Sequence, residues 1–242
     1  MATGTLYGVG VGPGDPELMT LKAARLIGSC PIVAYFAKRG RQGHARRIVD
    51  GHIGPDSREL RLEYPFTTEV PVDDPHYPRE LSAFYSRSAE EVAAELDAGR
   101  DVAVICEGDP FFYGSFMYLF DRLSKVYPTE IVPGISGMHG CWAQAKTPIC
   151  HGDDVFSVLP GTMDGALLTE RLKGSDAAVI MKIGRNLEKV RTALAEAGLL
   201  DRAIYVEQGT MAGERVEKLA DLAHAPAPYF SLILVPGRQG LR

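Results

Sequence analysis

The sequence predicts an α/β protein, and three observations carry that prediction. Short runs rich in β-branched and aromatic residues alternate with longer stretches of helical period. Several of those runs end in loops built from Gly, Pro and Asp. The chain has 242 residues, 45% of them apolar, enough for a substantial core in one large domain or two small ones.

In chain order the strand candidates are "TLYGVGV", "PIVAYF", "DVAVIC" and "TEIVP", then "VFSVLP", "AAVIMKI", "AIYVE" and "YFSLILVP". Helical periodicity falls between them, at residues 17 to 28, 78 to 98, 115 to 125 and 187 to 197. Strands that alternate with helices imply mostly parallel sheets. "KTPICHGDD", residues 146 to 154, follows a helical stretch and precedes a new strand series, so it reads as the linker. The expected domains are 1–148 and 149–242.

A net charge of -5 and a pI near 5.7 provide no global attraction for nucleic acid or an anionic membrane. An anionic ligand would need a local basic patch, and residues 38 to 47 supply one. The N-terminal stretch lacks the pattern of a secretory signal, and no apolar run reaches transmembrane length. The expectation is a cytoplasmic protein. Cys30, Cys106, Cys141 and Cys150 form no CxxC pair and no zinc-ligand spacing, so they read as reduced core or pocket thiols, with no metal site.

The loop "YGVGVGPGDPEL", residues 7 to 18, fails as a dinucleotide fingerprint. The third glycine of GxGxxG is replaced by Pro13 in one register and by Asp15 in the other. A Walker A loop is excluded because "GK" does not occur. A tight turn remains, with or without a ligand. "EGDPFFYGS" (107–115) and "VPGISGMHG" (132–140) repeat the same chemistry at two further strand ends. Small residues at three strand ends leave room for a flat or bulky ligand, and their bare backbone groups can hydrogen-bond it.

Together "GVGVGPGDPELMTLKAARLI", "EGDPFFYG" and "VPGIS", in this order, resemble the tetrapyrrole methylase family; "AAVIMKIGRN" and "YVEQGTMAGER" resemble its second domain, so the likeness spans the chain. "YGSFMYLFDRL", "MKIGRN" and "FAKRGRQGHARRI" are most similar to the branch that methylates C20 of a precorrin. The resemblance implies two α/β domains of the class III methyltransferase type, with S-adenosylmethionine folded in the cleft between them. It also implies S-adenosylhomocysteine as product, a tetrapyrrole substrate and a homodimer. Uroporphyrinogen methylases tend toward Met-Gly where this chain has Lys182, a departure that leaves the contact of that loop open.

Carried over position by position, the resemblance assigns Pro13, Gly108, Asp109, Pro110 and Tyr113 to the cofactor, with Ser136, Gly137 and Met138 from the third loop. In the second domain it assigns Lys182 and Ile183, Thr210 and Met211, and Ser231 and Leu232. Asp109 has a competing role as a turn-former, since Asp in a turn often bonds its own backbone. Tyr113 and Phe112 read equally well as core aromatics. The basic run holds Lys38, Arg39, Arg41, Arg46 and Arg47 around His44. It reads either as a solvated face or as the grip on substrate carboxylates, for which Lys38, Arg39 and Arg41 are the named candidates. Arg185 is a further cleft candidate, and His139 is a weak acid/base candidate that reads rather as a structural hydrogen-bond donor. The proton released from the methylated carbon is expected to go to a cleft residue or to the substrate's own carboxylates, with no residue named as the base, and the glycines of the first loop are expected to make room for cofactor and substrate.

Overall fold

A computed structural model describes residues 2–65, 76–223 and 226–237. The chain divides into two compact units, Met1–Ser136 and Gly137–Arg242.

The first unit runs β1 (Leu6–Gly10), α1 (Leu21–Ser29), β2 (Ile32–Lys38), α2 (His44–Ile48), β3 (Arg58–Tyr64), α3 (Tyr77–Asp97), β4 (Val102–Cys106), α4 (Phe116–Leu123) and β5 (Thr129–Val132). Its five strands form one sheet in the order β3-β2-β4-β1-β5, and every pairing is parallel. Each face is apolar because alternate residues of a strand point to opposite sides. Val102, Val104 and Cys106 of β4 pack with Phe84, Val92, Phe116 and Leu119 of α3 and α4. Ala103 and Ile105 pack on the other face with Ala23, Ile27, Ala45 and Ile48 of α1 and α2.

Local sequence explains the helix ends. Thr20 caps α1 by accepting the Ala23 N–H at 3.1 Å. In α3 the buried positions Phe84, Tyr85, Ser88, Ala89, Val92 and Leu96 keep the 3-4 spacing of one helix face. That helix stops before Gly99, which adopts φ +76°.

The strand order creates a topological switch. The chain leaves β1 through α1 on one face of the sheet and leaves adjacent β4 through α4 on the other. Loops that part in this way open a crevice at the carboxyl ends of the two strands, where open α/β sheets hold ligands.

The second unit begins with α5 (Gly137–Gln144) and continues with β6 (Phe156–Pro160), α6 (Gly165–Lys173), β7 (Ala177–Met181), α7 (Leu187–Glu196), β8 (Ile204–Glu207), β9 (Arg215–Lys218) and β10 (Ser231–Val235). Its sheet has the order β6-β7-β10-β8-β9. Here the expectation of mostly parallel strands is corrected. Only β6–β7 is parallel; β7–β10, β10–β8 and β8–β9 are antiparallel. The connection 208–214 is too short for the crossover that a parallel β8–β9 pair would require.

Two strands were not expected, β3 and β9. Both are charged edge strands, "RELRLEY" and "RVEK". Cys30, Cys106 and Cys141 are buried thiols, whereas Cys150 is exposed. Among the described residues no helix is long and apolar enough to cross a membrane.

Phe116 is fully buried, and its ring occupies the space above Gly8, where a Cβ would lie 2.4 Å from it. Phe116→Ala removes that filling and should cost about 3 to 5 kcal/mol in urea denaturation. A loss under 1 kcal/mol would show that the helix does not depend on this contact.

Candidate active site

The three glycine loops meet at the switch point of the first unit. The Gly108 N–H donates to Gly12 O at 2.8 Å, and the Val11 N–H to Cys106 O at 2.9 Å, so the first two loops are laced together. The third loop closes on both. A Cβ on Gly134 would stand 2.1 Å from Gly108 O, and one on Gly10 would stand 2.5 Å from the same oxygen and 2.6 Å from Gly134 N. No side chain fits at Gly10 or Gly134. The expectation that these glycines make room for ligands is therefore corrected: Gly8 and Gly10 make room for Phe116 and for the neighbouring loops. Pro13 is buried beside them.

Asp109 works as the turn-former. One carboxylate oxygen accepts the Phe111 N–H at 2.8 Å, and the other accepts the Gly134 N–H at 3.1 Å, which ties the GDP loop to the PGIS loop. Pro110 is buried, and Gly108 takes φ +65°. Tyr113 lies outside the core, about 45% exposed, with its backbone at φ +57°. Its ring meets the edge of Phe112, which is half-buried. Beneath this loop Tyr64 and Tyr85 both hydrogen-bond the Ser115 hydroxyl.

The basic run separates into parts with different duties. Lys38 ends β2 at the carboxyl edge of the sheet, and the turn that follows is closed by Arg41 N–H to Lys38 O at 3.0 Å. Arg61 clamps this turn by donating to Lys38 O at 2.9 Å and Arg41 O at 2.7 Å. Arg39 and Arg41 project from it; the Arg39 side chain is 90% exposed and only 3.8 Å from Glu63, too loose to occupy it. Arg46 is committed elsewhere. It grips Glu59 through two bonds of 2.8 Å and reaches Asp50 at 3.1 Å, which lowers the pKa of Glu59. Arg47 contacts His44, whose pKa falls through burial and the Arg47 charge.

Sequence reasoning passes over Glu107, the residue before Gly108. Burial pushes its carboxyl up to about 7, against the opposing pull of the Arg47 charge and the Ala45 backbone N–H. The position looked like part of a turn motif, and only the packing of α2 against the end of β4 sets it apart.

In the second unit the register collects the remaining candidates at one sheet edge. Lys182 and Ile183 follow β7, Thr210 and Met211 lie in the loop after β8, and Ser231 and Leu232 open antiparallel β10 opposite Glu207 and Val206. Ile183 is wholly buried in the core of that unit, so its backbone alone can face a ligand. The Ser231 hydroxyl donates to Pro228 O, and the Met211 N–H to Gln208 O at 2.8 Å. Leu232 is 6% exposed.

Lys182 and Thr210 hold left-handed backbones, φ +56° and +67°. For a β-branched residue such as Thr210 that conformation is strained, and strain of this kind gathers at binding sites. The Thr210 N–H is held by Glu214 at 2.7 Å, while its hydroxyl is buried without a partner among the described residues. The indole N–H of buried Trp142 on α5 is likewise unpartnered. Cys141, next to it, packs against the same loop: a Cβ on Gly209 would be 2.6 Å from its sulfur, and burial pushes that thiol up to about 12. Ser136 and Met138 are buried at the start of α5, but a Cβ on Gly137 would meet nothing within 4 Å among the described residues. His139 and Arg185 are exposed.

The family profile described as Tetrapyrrole (Corrin/Porphyrin) Methylases matches residues 5–223. The chain belongs to the tetrapyrrole methylase family. Among its relatives, a precorrin-2 C(20)-methyltransferase from a Sinorhizobium species is 55% identical across 98% of this chain and 97% of that protein. A cobalt-precorrin-2 C(20)-methyltransferase from Salmonella typhimurium is 30% identical, with 96% of each chain covered. The fold of the family is shared with two solved structures. The cobalt precorrin-4 methyltransferase CbiF superposes with a TM-score of 0.72 at 20% identity, covering 96% of this chain and 94% of that one. A uroporphyrin-III C-methyltransferase from Thermus thermophilus, complexed with S-adenosylhomocysteine, gives 0.62 at 22%, covering 96% and 92%.

Two glycines three residues apart separate packing from space. Gly134→Ala should destabilise the protein by about 3 kcal/mol through the clash with Gly108 O. Gly137→Ala should leave stability unchanged or raise it by about 0.5 kcal/mol, as expected for Gly to Ala in a helix. Chemical denaturation of both variants checks the pair; equal effects would contradict it.

Proposed function

We infer that the chain transfers a methyl group from S-adenosylmethionine to C20 of precorrin-2, giving precorrin-3A in cobalamin biosynthesis. The observation that carries this reading is the 55% identity to a precorrin-2 C(20)-methyltransferase over nearly the whole of both chains. The lower identity to the cobalt-precorrin enzyme favours the metal-free substrate.

The residues suit the methyl donor. The left-handed backbones of Tyr113, Lys182 and Thr210 and the open side of Gly137 suit loops that approach a bulky polar ligand, and among the described residues the buried Thr210 hydroxyl and Trp142 N–H are left without a partner. We assign the donor to Pro13, Gly108, Asp109, Pro110 and Tyr113 of the first unit, and to Ser136, Gly137 and Met138 around the start of α5. Lys182, Ile183, Thr210, Met211, Ser231 and Leu232 at the sheet edge of the second unit complete the set. Asp109 acts there mainly by holding the GDP loop against the PGIS loop.

The bound donor supplies an activated methyl on sulfur, and the chain supplies position. Holding the reacting atoms about 3 to 3.5 Å apart and aligned provides much of the rate in such a displacement. For that purpose a rigid wall is useful, and the interlocked glycine loops provide one. Lys38, Arg39 and Arg41 are assigned to substrate carboxylates: Arg61 fixes the turn that carries them, and the Arg39 side chain is exposed, with only a loose 3.8 Å approach to Glu63. The reading includes a homodimer, on the strength of the family resemblance.

Incubation with methyl-labelled S-adenosylmethionine tests the reaction. Metal-free precorrin-2 should gain one methyl at C20 by mass and NMR; methylation of the cobalt form alone would defeat the substrate assignment. Replacing Arg39 and Arg41 together by Ala should raise KM for precorrin-2 about tenfold, the loss of roughly one charged hydrogen bond. S-Adenosylhomocysteine affinity should stay within twofold. An unchanged KM would remove these side chains from the substrate site.

A further inference from the structure

Methylation at C20 requires that the hydrogen on that carbon leave as a proton. As the new C–C bond forms, the bond from methyl to sulfur breaks and its electron pair stays on sulfur. The C20–H bond then breaks, its pair returning to the conjugated macrocycle, and a base must take the proton. We propose that Glu107 is that base, receiving the C20 proton on its carboxylate. This assignment rests on the reading of the chain as a C20 methylase.

Geometry sets Glu107 apart from the other carboxylates near the switch point. Asp109 has both oxygens bound to backbone N–H groups, and Asp15 caps the turn at Pro16–Leu18 by accepting the Glu17 N–H. Glu107 stands directly after β4 and before Gly108, the residue around which the three loops close. By strand alternation it continues the face of Ala103 and Ile105, toward α2, where it meets the Ala45 N–H and the Arg47 charge. As a residue it is neither fully buried nor exposed.

Charge completes the argument. The charged group facing the carboxyl is Arg47 from α2, which itself contacts His44; the Cys106 thiol of its own strand lies on the opposite face, and burial pushes it up to about 12. Glu59 and Glu95 are held down by their arginine partners, whereas burial prevails at Glu107 and pushes its carboxyl up to about 7. A base near the working pH is ionised often enough to act and basic enough to pull a proton. Arg47 supports the ionised state without removing that basicity.

A structural alternative is a cap on the short helix α2, and Glu107→Gln separates the two. Gln keeps the volume and an oxygen for the Ala45 N–H but cannot accept a proton at this pH. With precorrin-2 and S-adenosylmethionine, E107Q should lower kcat about 100- to 1000-fold. KM and S-adenosylhomocysteine affinity, measured by calorimetry, should stay within twofold. In the wild type kcat should fall about tenfold per pH unit below about 7, and E107Q should lose that limb. E107D should recover part of the rate.

A second reading needs no substrate. Because its folded pKa lies above the usual carboxylate value near 4.3, Glu107 binds a proton in the native state that the unfolded chain has lost. Stability should therefore fall as pH rises from about 4.5 to 7, and E107Q should cancel that part of the fall in melting temperature. An active wild type with E107Q inside fivefold of its kcat and with the same pH limb overturns the assignment alone. A wild type that does not methylate precorrin-2 at C20 overturns the functional reading, and this assignment with it.

Discussion

The contact of the Gly108 carbonyl with the backbones of Gly10 and Gly134 is the constraint on which the candidate site depends. Three parallel strands end side by side, and their loops must cross within a space that excludes any Cβ. Once they cross, the polar backbone groups of the crossing need partners in a place withdrawn from water. The Gly12–Gly108 bond and the two bonds to Asp109 meet part of that need. The result is a wall whose shape is set by backbone contacts. Precise positioning, which methyl transfer from sulfur to carbon demands of the chain, follows from it.

Around this wall the charges are sorted by burial. Arg46, largely covered, binds Glu59 and Asp50 and anchors α2 to the edge strand β3. Arg39 and Arg41 stay outside on a turn whose carbonyls Arg61 holds. Arg47 stays exposed beside His44, and its charge acts on the carboxyl of Glu107. A run that reads in sequence as one basic patch is thus three devices: a structural clamp, a solvent-facing pair of guanidinium groups and a counter-charge to the Glu107 carboxyl.

Much of the architecture was legible before any coordinates. The strands β1, β2 and β4 announce themselves because both faces are buried, so their residues are nearly all apolar. Helix α3 was legible over its whole length because its apolar face keeps one period and Gly99 stops it. The edge strands β3 and β9 were not, since an edge exposed to solvent carries charge to avoid pairing with other chains, and charge hides a strand. The site was legible as a set of loops. It was not legible as chemistry: nothing in the order of residues distinguishes Gly10, which meets a backbone oxygen, from Gly137, which meets open space.

By itself the sequence determined the class of fold, the three strand-end loops and, through their order, the family. Those features are local, written in periodicity and in turn residues whose preferences act within a few positions. Tertiary structure decided which glycines carry packing, that Asp109 joins two loops, that β10 runs antiparallel between β7 and β8, and that Glu107 is the acid held near neutrality. Each of these depends on groups far apart in the chain. Exclusion of a Cβ and desolvation of a charge act through space, and folding brings those groups together.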